Sequence, residues 1–122
     1  MTRQQVDKLL RYWQARLRLL DWRIRLEYKH RGPKDRFLGD TTMWPRLKCA
    51  TIFIAKRRPR DRNNDPIEVV VIHELIHLHL VTWQPRKMDR RREFAFEASV
   101  DSLAWGLYKT RYPAAGDPHI GK

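Results

Sequence analysis

One stretch constrains this chain more than any other. Residues 68–81 read EVVVIHELIHLHLV, and nine of the fourteen are Val, Ile or Leu. At about 100° per residue the apolar side chains cover the whole circumference, which marks a helix buried on every side. The helix is expected over Pro66–Thr82, with Asp65 as its cap, Pro66 in its first turn and Pro85 beyond its end as the stop. His73, Glu74 and His77 are set into this apolar surface. Imidazoles and a carboxylate are costly to bury without strong partners, and their spacing points to one. His73 and His77 lie one turn apart on one face, where both rings can reach a single divalent cation. Glu74 is offset round the helix and reaches water beside that cation. His73-Glu74-Leu75-Ile76-His77 is the pattern H-E-x-x-H, in which the ion acidifies water and the glutamate accepts the proton.

Two histidines leave such a site short of a protein ligand, and the last helix can supply it. Asp89 is placed to cap this helix, which should reach about Tyr108. Phe96, Val100, Leu103, Ala104 and Leu107 form its apolar stripe. Glu97 falls at the edge of the stripe, twenty residues after His77, as a carboxylate turned toward the core. Glu93, one turn earlier, competes for the role. Its place near the helix start suits a dipole or surface role, so Glu97 is the expected ligand. Asp101, one turn beyond Glu97, can accept the second ring N–H of a ligating histidine. His79 should point away from the ligand face, and His30 and His119 should be solvated. Tyr108 reads first as a packing residue and second as a donor to a developing oxyanion.

The N-terminal half supplies the frame. Apolar residues at Val6, Leu9, Leu10, Trp13, Leu17 and Leu20 mark an amphipathic helix that Thr2 can cap and Asp21 ends. DWRIRLEYK then alternates, with Trp22, Ile24, Leu26 and Tyr28 on one face, as a half-buried strand of an antiparallel sheet does. TTMWPRL suggests a short strand that Pro45 confines to an edge or a bulge. KCATIFIA is a better strand, ending near Lys56, and Cys49 reads as a small core residue. The expected fold is α+β: an N-terminal helix, a small, mostly antiparallel sheet of about three strands, then two helices that carry the metal site. One domain spans 1–112, and 113–122 is a loose tail.

The net charge is +12, a surplus that attracts polyanions. Arg57, Arg58 and Arg60 precede the buried helix, and Arg90, Arg91 and Arg92 open the last one, where they oppose its dipole. These loops read as solvated surface, or as a basic rim for nucleic acid or an acidic partner. One cysteine excludes an intrachain disulfide, and no run is apolar enough for a membrane span or a secretory leader. A cytoplasmic location without membrane attachment is expected.

H-E-x-x-H followed by E-x-x-x-D on a downstream helix resembles the gluzincin metallopeptidases. HELIH supplies His73, Glu74 and His77, and EASVD supplies Glu97 and Asp101. Size and element order look most like the minimal gluzincins, including small phage- or prophage-borne metallopeptidases. The resemblance covers residues 66–108 and extends more loosely to DWRIRLEY. It implies a minimal zincin-like fold with one Zn²⁺ per chain on His73, His77 and Glu97. Glu74 would be general base, Asp101 a partner of a ligating histidine, and the substrate a protein or peptide. It also implies that an edge strand beside the metal helix binds extended peptide, a role for which CATIFIA is the candidate. The rival readings are a nucleic-acid-associated module with a structural or weakly active zinc site, and an amidohydrolase acting on a non-peptide bond.

Overall fold

A capping box starts the chain. The Thr2 hydroxyl accepts the Gln5 amide N–H at 3.1 Å, and the Gln5 side chain accepts the Thr2 N–H at 2.7 Å. The helix it opens, α1, spans Arg3–Arg16 and buries Val6, Leu10, Trp13 and Gln14. These positions belong to a computed structural model that describes residues 1–31, 37–58, 65–81 and 87–114. Helix α1 stops short of Leu20 because Arg18 adopts a left-handed conformation, φ 61°. The turn buries Leu19 instead and leaves Leu20 71% exposed.

Strand β1 (Arg23–Lys29) alternates as expected, with Ile24, Leu26 and Tyr28 buried. Strand β2 (Gly39–Trp44) is followed by a 3-10 turn at Pro45–Leu47 and then by β3 (Cys49–Ala55). The sheet order is β1-β3-β2. β3 pairs antiparallel with β2, but β1 pairs with β3 in parallel, from Arg23 opposite Cys49 to Lys29 opposite Ala55. The sheet is therefore mixed rather than mostly antiparallel. Alternation in β1 reports burial on one face only, and here only one sheet face carries helices, so the pattern says nothing about strand direction. β3 is the central strand, not the edge beside the metal helix; β2 holds that place. Cys49 is half-buried on the face away from the helices, its thiol donating to the Leu47 carbonyl at 3.4 Å.

Helix α2 (Ile67–Leu80) is the centre of the molecule, in contact with α1, β2, β3 and the last helix. Four consecutive β-branched residues, Val69–Ile72, are poor helix formers, and the helix rests on tertiary burial instead. Val69, Val71, Ile72 and Leu75 have no exposed surface. Pro66, not Asp65, takes the cap position, and no side chain caps the helix. Helix α3 (Arg90–Arg111) begins at Asp89, whose carboxylate accepts the Arg92 N–H at 2.8 Å. It buries Val100, Ala104 and Trp105, while Leu103 is left 54% exposed.

Glu68 ties the three helices together. This carboxylate, 6% exposed, accepts Trp13 Nε1–H from α1 at 2.7 Å, Arg111 Nη1–H from α3 at 2.9 Å and the Tyr112 hydroxyl at 2.9 Å. The Arg111 guanidinium also lies over the Tyr12 ring, 4.0 Å from its centre. The α+β order of one helix, three strands and two helices stands. Of the tail expected at 113–122, residues 115–122 lie outside the described residues.

Candidate metal centre

The second and third turns of α2 face α3. There the structure brings His73, His77 and Glu97 together. His73 Nε2 lies 2.9 Å from Glu97 Oε2, and His77 Nε2 lies 3.3 Å from Glu97 Oε1. One donor atom from each of the three residues falls within 4.8 Å of the others. Two imidazole nitrogens and a carboxylate oxygen so disposed could hold a metal ion, and this donor set suits a divalent cation of intermediate softness. Both rings are largely buried, with side-chain exposures of 18% for His73 and 12% for His77. The His77 ring is tilted against Phe96, 5.8 Å between centres. Burial lowers the His77 pKa below the ordinary imidazole value, against the opposing pull of Glu97. The neutral ring that results is the form with a free lone pair for a metal.

On the other side of His73, Nδ1 faces Asp101 Oδ1 at 3.5 Å. This contact turns Nε2 toward Glu97, the outer-shell arrangement that fixes a ligating imidazole. Glu93 lines the same cleft but is exposed and stands outside the three-donor group.

Glu74 is only 6% exposed. Its Oε1 accepts the Thr41 hydroxyl at 2.7 Å, and Oε2 accepts no hydrogen bond among the described residues. Burial is the main reason its pKa rises from 4.5 to about 7. The Thr41 bond and His73 oppose the rise, and Asp40 and Glu97 add to it. Strand β2 reaches this close because residue 39 is glycine. A Cβ there would lie 2.8 Å from Val70 Cγ1 and 3.1 Å from Glu74 Cγ and Oε2. Gly39 and Thr41, together with α2 and α3, line a cleft of about 550 Å³ that opens onto His73, Glu74, His77 and Glu97. Sequence reasoning did not single out Gly39 or Thr41. Gly39 shares a strand face with Thr41 and Met43, and that alternation was the available signal.

Other expectations meet the geometry differently. Tyr108 does not line the cleft. It is eleven residues beyond Glu97, about 16 Å along the helix axis, and packs on Trp105 and Tyr112. Burial and the neighbouring Glu68 push its phenol pKa up. Packing is the role the sequence puts first for this residue. His79 donates through Nε2 to the Leu17 carbonyl at the end of α1, away from the site. Arg57 and Arg58 donate to the backbone carbonyls of Asp65 and Arg31. Arg90, Arg91 and Arg92 are exposed, and Arg60, with His119, lies outside the described residues. Among the described residues no helix is long and apolar enough to cross a membrane. Set against protein-family models, curated proteins and solved structures, the chain finds no match in any of the three.

Proposed function

We propose that the protein is a zinc-dependent metallopeptidase of gluzincin type. The observation that carries this reading is the placement of Glu74. A buried carboxylate with one unbonded oxygen opens into the cleft beside the three-donor group His73, His77 and Glu97. Zinc bound by that group would supply a Lewis acid and make water acidic near neutral pH. Glu74 then has the position of a general base, and in the metal-free protein burial already raises its pKa to about 7. Thr41 fixes Oε1, while Oε2 accepts no hydrogen bond among the described residues. Asp101 holds the His73 ring. β2 is an edge of the sheet and lines the cleft with Gly39, Asp40, Thr41 and Met43. An extended peptide added along its outer edge would lay a carbonyl across the site.

The test is metal analysis of the purified protein joined to digestion of a proteome-derived peptide library. One zinc per chain and discrete cleavages are expected. Glu74→Gln should retain metal and fold while cleaving nothing. Cleavage that survives Glu74→Gln, or wild-type protein that holds zinc and cuts no peptide, overturns the proposal. A chelator-insensitive complex with nucleic acid would favour the binding-module reading.

A further inference from the structure

The chain has 26 Lys and Arg against 14 Asp and Glu, yet its cleft has the opposite charge. Six of the fourteen acids line it, namely Asp40, Asp65, Glu74, Glu93, Glu97 and Asp101, and no Lys or Arg does so among the described residues. The metal site does not account for this number. A divalent cation on the three donors offsets Glu97 and Glu74, and Asp101 faces His73. Asp40 and Glu93 remain as negative charge with no part in holding or activating a metal. Glu74 adds an independent sign: at 6% exposure it lines the cleft, and its Oε2 has no hydrogen-bond donor among the described residues. Concave surfaces lined by one sign of charge concentrate the opposite charge, and this cleft does so against the field of the whole molecule.

Resting on the peptidase reading, we infer that the cleft selects polypeptide segments with Lys or Arg beside the bond to be cut, and that Glu93 and Asp40 receive the cationic side chain. Both are exposed at the rim. Glu93 sits one turn before Glu97 on the same face of α3, about 6 Å along the axis, which is the reach of about two residues of extended peptide. Asp40 stands on the opposite wall, on β2, close enough to influence both Glu74 and His77.

The experiment uses zinc-loaded Glu74→Gln protein and two fluorescein-labelled decapeptides, alike except that one carries Arg and the other Glu at alternate positions. Anisotropy should show the Arg peptide binding more tightly, although the +12 chain as a whole favours the Glu peptide. Adding Glu93→Gln and Asp40→Asn should weaken the Arg peptide by about 1.5-fold to fivefold for each carboxylate removed, with the circular dichroism melt unchanged. Tighter binding of the Glu peptide, or an Arg preference untouched by the two substitutions, overturns the inference. Library digestion by wild-type protein separates the two claims. Cleavage without basic residues near the cut sinks the specificity and leaves the peptidase. Carboxylate-dependent Arg binding without any cleavage sinks the peptidase and leaves a cleft for basic peptides.

Discussion

Glu74→Gln should make the metal-free protein more stable, by an amount that depends on pH. In the unfolded chain the carboxyl titrates near 4.5, and in the folded chain near 7, chiefly because burial penalises the charge. Below pH 4.5 the group is protonated in both states and costs nothing. As pH rises through this window the unfolded chain releases its proton first, so folding loses stability, and above pH 7 the loss is complete. A rise from 4.5 to about 7 corresponds to about 3 kcal/mol. Glutamine has the same shape, can still accept the Thr41 hydroxyl and carries no charge. Urea melts in EDTA should therefore show the variant about 3 kcal/mol more stable than wild type at pH 8.5, with the gap closing toward pH 4.5. The histidines, Glu97 and Asp40 are common to both proteins, so most of their own titration cancels in the difference. A gap that stays constant with pH would show that burial does not set the behaviour of Glu74, and its reading as a base tuned to neutral pH would fall with it.

Three further outcomes can be measured. Plasma emission analysis should find one divalent metal per wild-type chain and loss of it in His73→Ala, His77→Ala and Glu97→Ala, whereas Glu93→Gln should retain it; retention in Glu97→Ala would remove the third ligand. Gly39→Ala should cost about 1–3 kcal/mol in urea melts, because the new methyl group would lie 2.8 Å from Val70 Cγ1, and a neutral effect would mean that β2 does not hold Glu74 in place. Trp13→Phe should cost about 2 kcal/mol by removing a buried donor from the Glu68 carboxylate, and an unchanged melt would deny that this carboxylate joins the helices.

What the sequence made legible follows from how local each signal is. H-E-x-x-H fixes two imidazoles one turn apart by helix geometry alone, and an all-round apolar segment can only be a central helix. Glu97 was readable from its place at the edge of an apolar stripe, even though part of the stripe was wrong: Trp105 is buried where Leu103 was expected. The wall opposite the helices was not readable. Thr41 meets Glu74 across 33 residues of chain, and nothing in GDTTMW distinguishes a side chain that touches a buried carboxylate from a strand residue that does not. Parallel pairing of β1 was hidden for a similar reason, since alternation records burial and not direction. The end of α1 was hidden because the left-handed turn falls on Arg18, a residue type that does not announce one.

The fold treats the two buried carboxylates of α2 differently. Glu68 and Glu74 are each 6% exposed and lie less than two turns apart. Glu68 is met by an indole, a guanidinium and a phenol, which occupy both oxygens. Removing it would leave buried donors unpaired, and its role is to hold α1 and α3 on α2. Glu74 has a single hydroxyl partner on one oxygen. Left so, it weakens the fold at neutral pH, a cost the arrangement could have avoided with one more donor or with an apolar residue. Strain of this kind is kept at positions that do chemistry and is absent from positions that only pack. The same helix satisfies one acid fully and leaves the next open, and it opens it toward the two histidines and Glu97. That contrast, internal to a single helix, is the physical reason to look for chemistry at Glu74.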